Sequence, residues 1–568
     1  MMWREKIDGD VLVIGGGLAA IRAAIAAQQA GAKTVMLLKG VLGKSGSSAI
    51  AGGGLAAVLG VSDVPEDSVE RHCLDTLASG DFVNDPDLVR QLVLRAPQAT
   101  RELEALGAEF VRKPDGEIEV FLAPAHTCRR SVRVAGGGTG QLMGPLTQRV
   151  KELPIALYEN TMVLEVLQDN GCVAGVAAVR NDVPMLIRAR AVVLATGGAG
   201  RIYPLTSTME EATGDGYAMA LRNRLALTGM EFVQFTPTAL AYPKELEGTS
   251  TGGVLLGLPG TRLWNEQRER FMEKYDPERK EASTRAILSR AIQTEVVGGR
   301  GSPHGAVYLD LTGNSAETLQ RLGAPFMAKL APFGIDITRH PIEIAPAVHY
   351  FMGGVEINAV AETGVPGLYA AGEVAGGVQG SNRLSSNSLA DVNVFGSIAG
   401  RQAASHAQNV QQQCEWKALS DHGNALVDTF VKKNSAPAGA ALEEMHGALQ
   451  RIMFSGAGIV RDASGIAKGL AAIDALRGRL LALAPVLTTD LRRFYEVRNM
   501  IDVGEAVMRS AGHRTESRGA HYRMDYPERN DERWLVATRI YSDGAEMKIL
   551  ERDLSANRQY VKAVNRES

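Results

Sequence analysis

The sequence predicts an α/β protein built on a Rossmann-like, dinucleotide-binding domain, and three observations lead to this prediction. First, the fully apolar run Val11–Ile14 leads directly into Gly15 and Gly17, and helix-forming residues follow. Second, apolar runs that end in glycine-rich turns recur in the middle and in the last third of the chain. Third, residues 229–345 differ in composition, with recurring prolines between short helical and strand-like segments. We therefore expect a nucleotide-binding domain that is split by an inserted domain.

The first of these turns has the small residues that a bound pyrophosphate requires. Gly15 allows the tight turn, Gly17 lets the backbone approach the phosphates, and Ala20 lets the helix pack closely on the strand. The helix begins at Leu18 and Ala19, so that its positive N-terminus faces the anion. A lone turn of this kind is a weak signal, but here it lies within a strand–turn–helix–strand unit.

The second strand of this unit, Thr34–Leu38, ends in Lys39. No acid follows the strand to bind a ribose hydroxyl, as nicotinamide-binding folds require. This departure favours a flavin dinucleotide over NAD. The chain has no second dinucleotide turn of comparable quality, so NAD(P)H is not indicated.

Three further segments rich in small residues are candidates for contacts with the same ligand. Residues 44–54 include Ser45 and three consecutive glycines, and they read equally well as a ligand-bound loop or as a flexible surface loop. The second segment follows a buried strand and contains Thr196 and Gly197. In the third, Asp215 is either a ligand contact or the N-cap of the helix that follows.

Periodicity and turn residues assign the other elements. Residues 65–106 have helical periodicity, with Asp67, Asp85 and Asp87 as candidate caps. Residues 416–511 are also helical in pattern. The strand-like runs are Ala156–Tyr158, Val173–Val179, Ala191–Leu194, Gly305–Leu311, Ile342–Val348 and Trp534–Ile540.

The composition is that of a globular protein with several domains, because 568 residues exceed what one core supports. Charged residues make up 22% and the net charge is −3, which gives no basic surface for nucleic acid. No apolar run is long enough to span a membrane and none leads the chain, so we expect a cytoplasmic protein. The four cysteines lie far apart with no C-x-x-C pair, so we expect no metal ligation by this chain and a reducing compartment.

Three longer motifs follow one another in the last 220 or so residues, and together they are far more specific than a glycine-rich turn. They are His349-Tyr-Phe-Met-Gly-Gly, Gly380-Ser-Asn-Arg-Leu-Ser-Ser-Asn-Ser-Leu and Ser517-Arg-Gly-Ala-His. On these motifs the chain resembles the flavoprotein subunits of succinate dehydrogenase and fumarate reductase, and it is also similar to L-aspartate oxidase. The resemblance extends from the first glycine turn to the tail.

The resemblance implies a split Rossmann-like FAD-binding domain at 1–228 and 346–415, with an inserted α+β capping domain at 229–345. It further implies a C-terminal helical bundle at 416–511 and a small C-terminal domain at 512–568.

The resemblance also implies FAD as the cofactor. Gly46 stands where the membrane-bound members carry a histidine linked covalently to FAD, so the FAD should be noncovalent. The residues expected to hold it are Gly15, Gly17, Leu18, Ala19, Lys39, Ser45, Gly52, Gly53, Gly54, Thr196, Gly197, Asp215, Glu373, Asn387, Ser388 and Leu389.

The family's chemistry takes place at a carbon–carbon bond next to a carboxylate. Hydride passes between flavin N5 and one carbon, and an arginine handles the proton at the other. Arg285, within the predicted helix Thr284–Val297, matches that arginine, and His349 and Arg383 match the pair that binds a substrate carboxylate. A guanidinium binds a carboxylate bidentately, and an imidazole adds a directed donor. Without the resemblance, Arg285 is better explained as a helix-surface residue and His349 as a buried structural histidine.

The chain departs from the family where a second substrate carboxylate would bind. Thr236 replaces a carboxylate-binding histidine. The family's Thr-Glu-x-x-Arg-Gly-Glu-Gly segment, which supplies another contact and the proton relay, is replaced by the apolar residues 250–260. A carboxylate facing Val254, Leu255 and Leu256 would be unpaired, which costs several kcal/mol. The sequence therefore predicts a monocarboxylate substrate with an apolar or cyclic body, to which Thr236 gives one neutral hydrogen bond.

Three functions remain open. The leading one is an FAD-dependent dehydrogenase or reductase of such a monocarboxylate, for which fumarate and succinate would be poor substrates. The alternative is a dicarboxylate or amino-acid enzyme resembling fumarate reductase or L-aspartate oxidase, which a cation of the cap such as Lys244 or Arg262 would support. The third is a flavin-carrying electron-transfer subunit without substrate chemistry of its own. The electron partner is open between an iron–sulfur subunit and oxygen.

Overall fold

The structure, a computed structural model, describes residues 3–136, 138–181, 183–251, 253–410, 414–428, 438–483 and 490–567. The strands are β1 Glu5–Asp8, β2 Val11–Ile14, β3 Thr34–Leu37, β4 Gly54–Ala56, β5 Val120–Phe121, β6 Ser131–Arg133, β7 Ala156–Tyr158, β8 Thr161–Asp169, β9 Cys172–Arg180, β10 Val183–Arg188, β11 Ala191–Leu194, β12 Leu227–Thr228, β13 Val233–Leu240, β14 Arg262–Trp264, β15 Val307–Asp310, β16 Ile342–Phe351, β17 Gly354–Val355, β18 Leu368–Ala370, β19 Val536–Ser542 and β20 Met547–Asp553. The α-helices are α1 Leu18–Gln29, α2 Val69–Ser79, α3 Pro86–Ala105, α4 Gly140–Glu152, α5 Asp215–Arg222, α6 Gly253–Leu256, α7 Met272–Tyr275, α8 Arg285–Glu295, α9 Ala316–Leu330, α10 Asn387–Asn409, α11 Trp416–Asp428, α12 Gly439–Ala457, α13 Ala463–Ala482, α14 Leu491–His513, α15 Asp531–Trp534 and α16 Arg558–Glu567.

A five-stranded parallel sheet, in the order β18-β11-β2-β3-β7, organises the N-terminal half. Strands β2, β3 and β11 are buried along their whole length, which explains why they are uninterrupted apolar runs in the sequence. Their register places Ile14, Leu194 and Ala370 side by side at the carboxyl ends of β2, β11 and β18. Ligands of open parallel sheets bind at these ends.

The sheet beside it, in the order β1-β10-β9-β8, contains three strands, β1, β8 and β10, that the sequence pattern did not predict. In β8 the apolar run is interrupted by Glu165, which is buried and forms an ion pair with Arg222. A charged residue in a strand breaks the apolar pattern from which strands are recognised. Glu165 can be buried in β8 because the distant Arg222 pairs with its charge.

The helix caps differ in part from the predicted ones. Asp85 caps α3 as expected, because its carboxylate accepts from the first backbone amides of the helix. Asp67 was predicted wrongly, since the Ser68 hydroxyl caps α2 and Asp67 instead binds Arg130. Asp87 lies in the first turn of α3 and is not its cap.

The inserted segment has its own hydrophobic core. The antiparallel sheet β13-β16-β15-β14 forms one layer, and helices α6 to α9 lie in the same segment. Leu263, Leu288 and Phe326 are among the core residues. The Thr284 hydroxyl caps α8 by accepting from the amide of Ile287, so that the helix begins at Arg285.

The C-terminal part consists of the packed helices α12, α13 and α14, followed by a hairpin. Strand β19 of this hairpin pairs with β12, which attaches the tail to the dinucleotide-binding half. Strand β20 was not predicted, because most of its residues are polar and none is buried. Among the helices in the described residues, none combines the length and the apolarity needed to cross a membrane.

Candidate functional site

The β2–α1 turn has the backbone geometry that close contact with a ligand requires. Gly15 has φ +133°, and a Cβ there would lie 2.1 Å from the carbonyl oxygen of Ala195, so no other residue fits. Gly17 is extended and directly precedes α1. The Leu18 amide donates to the Ser48 hydroxyl at 3.1 Å, which brings the glycine-rich segment 44–54 against the turn.

Two more loops meet this turn. A Cβ added to Gly372 would lie 2.9 Å from the Cβ of Ala19, and one added to Gly198 would lie 2.2 Å from Oε1 of Glu373. Leu389, on α10, is buried in the same hydrophobic core as α1. The turns after β2, β11 and β18 therefore form one continuous surface.

This surface fits the FAD expected from the sequence. Gly52 and Gly197 have no heavy atom within 4 Å of the position of an added Cβ, so there is open space beside them. Gly53 has φ +76°, a conformation that favours glycine. The Thr196 hydroxyl is buried without a hydrogen-bond partner among the described residues, as expected for a group that awaits a ligand.

Lys39, at the end of β3, lies between two acids. Its Nζ is 3.0 Å from Oδ2 of Asp215 and 2.9 Å from Oε1 of Glu496. Asp215 also accepts hydrogen bonds from Thr213 and Asn499, and it is the first residue of α5, not its N-cap. Although burial acts in the opposite direction, Lys39 lowers the pKa of Glu496 to about 2. These ion pairs connect the end of β3 to α5 and α14 beside the proposed FAD surface.

Two of the expected cofactor residues have their side chains engaged elsewhere. The Ser45 hydroxyl accepts from the amide of Val41 at 2.8 Å. The Asn387 amide lies 2.9 Å from Nε2 of His72 and donates to the Thr76 hydroxyl. These hydrogen bonds hold the two loops in place beside the surface formed by the turns after β2, β11 and β18.

Two guanidinium groups from distant parts of the chain converge on Gln234 of β13. Arg285 Nη1 donates to Gln234 Oε1 at 3.4 Å, and Arg383 Nη2 donates to the same oxygen at 3.2 Å. Arg383 also donates to the Ser388 hydroxyl at 3.1 Å, and its guanidinium lies 4.7 Å from the ring centroid of Tyr350. Neighbouring like charges are unfavourable, so the pair is prepared for an anion.

His349 occupies a β-bulge in β16. Gln234 pairs with Tyr350, whereas Phe235 pairs with Val348, so His349 is the extra residue between them. A bulge re-aims a side chain that regular pairing would direct elsewhere. The predicted strand ended at Val348, but the observed strand continues through the bulge to Phe351.

Enclosure and like charge change the acid–base properties of these groups. Loss of water and the neighbouring Arg383 lower the pKa of Arg285 to about 10. Loss of water, Arg383 and Arg285 together lower the pKa of His349 well below 6.5, so its imidazole is neutral. The Ser207 hydroxyl lies 2.9 Å from His349 Nδ1 and orients the ring. A guanidinium with a lowered pKa gives up its proton more readily, and a neutral imidazole still donates one hydrogen bond.

Two acids lie near Arg383 without pairing with it directly. Burial raises the pKa of Glu373 and that of Asp391 to about 7. Glu373 accepts from the amide of Phe351 at 3.0 Å, and Asp391 accepts from Gln379 at 2.8 Å. Because these acids are substantially protonated near neutral pH, they do not neutralise the positive charge of Arg383, which is then available to bind an anionic ligand.

Thr236 is buried on β13, where it pairs with Ala347. Of the two cap cations that could replace the missing histidine, Lys244 is exposed and Arg262 donates to two backbone carbonyls. Among the described contacts, neither touches Thr236. Where a second substrate carboxylate would bind, the structure therefore has the Thr236 hydroxyl and neither of these two cations.

The apolar wall predicted from residues 250–260 is wrong for Leu255 and Leu256. Leu255 and Leu256 lie on α6 and are buried in the core of the inserted segment. Leu255 packs against Gly323 of α9, because leucine side chains gain more from an apolar core than from a polar ligand. Gly252 and the side chain of Val254 lie outside the described residues.

Sequence reasoning missed Gln234, Ser207 and Tyr350. Gln234 could have been found, because it is a polar residue two positions before Thr236 on a strand, and such residues share a face. Ser207 carried no usable signal, and Tyr350 lay in the motif that begins at His349 but was not selected, because its contact with Arg383 depends on the bulge.

Comparisons with known proteins agree with this geometry. The family described as FAD binding domain matches residues 10–389, and the family described as Fumarate reductase flavoprotein C-term matches residues 446–567. The protein is thus an FAD-dependent oxidoreductase that acts on CH–CH donors.

Relatives with established names extend along nearly the whole chain. The fumarate reductase flavoprotein subunit of Mycobacterium tuberculosis is 34% identical, with 94% of this chain and 95% of that protein covered. L-aspartate oxidase of Caulobacter vibrioides is 37% identical, with 92% and 94% covered. A structure of E. coli quinol fumarate reductase has a TM-score of 0.88 and 32% identity, and 97% of each chain is covered. The chain belongs to the fumarate reductase and succinate dehydrogenase flavoprotein family, to which L-aspartate oxidase is related.

Proposed function

We propose that the chain reduces or oxidises the carbon–carbon bond next to a carboxylate, with a four-carbon dicarboxylate such as fumarate or succinate as its substrate. The observation that supports this most is the convergence of Arg285 and Arg383 on the neutral oxygen of Gln234. Two enclosed guanidiniums beside a neutral His349 form a site of positive charge, and a dianion balances that charge better than a monoanion.

Each residue has a distinct task in this proposal. Arg383 and His349 bind one carboxylate, with Ser207 holding the imidazole in place. FAD, bound at the surface formed by the turns after β2, β11 and β18, would supply the hydride donor or acceptor. In the reducing direction, Arg285 donates a proton from its guanidinium to the alkene carbon that does not receive hydride. Gln234 positions Arg285 for this transfer through their hydrogen bond.

The dicarboxylate takes precedence over the monocarboxylate for two reasons. Relatives of nearly full coverage are named fumarate reductase flavoprotein subunit, succinate dehydrogenase flavoprotein subunit and L-aspartate oxidase. In addition, Leu255 and Leu256 pack in the cap core and do not provide an apolar substrate wall. Thr236 still favours a second candidate, a monocarboxylate whose ketone or hydroxyl accepts or donates one hydrogen bond.

The electron partner is part of the proposal. Several relatives are named as subunits, among them the succinate dehydrogenase flavoprotein subunit of Rickettsia conorii. We infer that this chain also exchanges electrons with a redox partner, for which an iron–sulfur subunit is the first candidate and molecular oxygen the second.

The test is a reoxidation screen. The holoprotein is reduced anaerobically and mixed with fumarate, crotonate or cyclohexene-1-carboxylate, and the return of oxidised-flavin absorbance is followed. We expect fumarate to reoxidise the flavin fastest. Reoxidation by only the two monocarboxylates would replace the substrate class, and reoxidation by none of the acids would overturn the proposed reaction.

A further inference from the structure

We propose that a cavity between α8 and the C-terminal segment 519–522 is the proton path that recharges Arg285 after each turnover. The cavity has a volume of about 350 Å³ with its mouth included, and its lining includes Arg285, Ser289, Arg290 and Tyr522. Neither His349 nor Arg383 belongs to that lining, so the cavity reaches Arg285 separately from the carboxylate-binding pair. The inference rests on the proposed function, in which Arg285 gives up a proton.

The described contacts of Arg285 contain no group that could return this proton. Its hydrogen-bond partner is Gln234 Oε1, an amide oxygen, which accepts hydrogen bonds but has no proton to give. No carboxylate contributes to the lowering of the Arg285 pKa, which comes from loss of water and from Arg383. The acidic and basic residues that relay protons in the family are missing from residues 250–260. The proton therefore comes by another way.

The cavity offers that way. The space in which the centre of a water molecule fits is about 20 Å³, which is room for one or two water molecules beside Arg285. Ser289 lies four residues after Arg285 on α8, which places both on the same face of the helix. The Ser289 hydroxyl is buried beside the cavity and has no hydrogen-bond partner among the described residues.

The outer part of the cavity also carries polar groups. The guanidinium of Arg290 lies 4.7 Å from the ring centroid of Tyr522, and both residues are half-buried. In the proton transfer, the neutral guanidine of Arg285 accepts a proton from a cavity water, which is itself reprotonated from solvent. No net oxidation or reduction takes place in this transfer.

A variant that fills the cavity tests the path. Ala286 lines the cavity and is half-buried, so Ala286→Leu narrows the path without removing a polar group. With reduced benzyl viologen as donor and fumarate as acceptor, we expect one rapid turnover per flavin, since Arg285 starts protonated. Later turnovers should be slower by about 10²-fold, the lower range for loss of acid–base assistance, with a larger solvent deuterium isotope effect.

A second variant and a control complete the design. Tyr522→Phe removes one hydroxyl at the cavity and should show the same burst with a smaller slowing. Thr294→Ala, an exposed position near the end of α8, should behave as wild type. A first turnover as slow as the later ones, or steady turnover without a burst in both cavity variants, would overturn the proton path. A wild type inactive toward fumarate and the monocarboxylates would instead overturn the proposed function.

Discussion

At the scale of single residues, the site consists of cations held apart from any close anion. Among the described contacts, Arg285 has only the neutral oxygen of Gln234, and His349 is itself neutral. A guanidinium kept in this way regains favourable interactions when a carboxylate binds. The motifs of the sequence were sufficient to select Arg285, Arg383 and His349. They did not include Gln234, which only its strand position two residues before Thr236 could have indicated, and which reaches the site through the pairing of β13 with β16.

Arg383→Ala should weaken the binding of succinate to the holoprotein. Loss of one partner of an enclosed charge pair costs about 2–5 kcal/mol, much of it from the ligand charge left unpaired. Perturbation of the flavin spectrum by succinate measures the affinity. Arg401→Ala, at an exposed position of α10, is the matched control and should bind succinate normally. Equal affinity in Arg383→Ala and wild type would contradict the assigned orientation.

Succinate affinity should fall as the pH rises through about 7. The pKa values of Glu373 and Asp391 are raised to about 7, so both acids are neutral below that pH and negative above it. Their ionisation adds negative charge near Arg383 and opposes a carboxylate ligand. Asp391→Asn should reduce the fall. A fall that is unchanged in this variant, and that instead disappears in His349→Gln, would assign the titration to the histidine.

At the scale of elements, two local features decide how the site is built. The bulge in β16 directs His349 toward the arginines, and the short helix α6 turns an apolar stretch into part of the cap core. The sequence showed the apolar stretch but not its destination, because hydrophobicity alone does not distinguish a core from a substrate wall. Bulges are similarly invisible until both paired strands are known.

Leu255→Ala should destabilise the protein without changing its choice of substrate. A buried leucine replaced by alanine typically costs about 2–5 kcal/mol. Urea unfolding followed by fluorescence measures the loss, and Leu322→Ala, a more exposed position on α9, should change stability far less. Relative rates with fumarate and crotonate should be the same in the variant and in wild type. A change in the relative rates with fumarate and crotonate would contradict this prediction and would indicate that Leu255 contacts the substrate.

At the scale of the whole molecule, the sequence was most informative where burial is uniform. The parallel sheet was predictable because β2 and β11 are apolar throughout and β3 is apolar after Thr34, and the inserted segment was predictable from its composition. Strands β8 and β20 were not, since one contains the buried Glu165 and the other is largely exposed. Where a polar residue is satisfied by a distant partner such as Arg222, the local pattern gives no warning.

The FAD should be held without a covalent bond. The family resemblance implies an FAD-linked histidine where this chain has Gly46, and the φ of +84° at Gly46 favours glycine over any larger residue. Acid precipitation of the holoprotein should therefore leave the yellow flavin in the supernatant. Flavin that stays with the denatured pellet would contradict this expectation.

The most direct test of the account is a single-turnover comparison of wild type with Arg285→Lys. Anaerobically reduced holoprotein is mixed with fumarate, and the return of oxidised-flavin absorbance is timed in both proteins at equal FAD content. If Arg285 donates the proton, the variant should be slower by about 10²-fold or more, the range for a positioned acid–base group. Equal rates in the two proteins would contradict the account and would leave Arg285 a structural residue of α8.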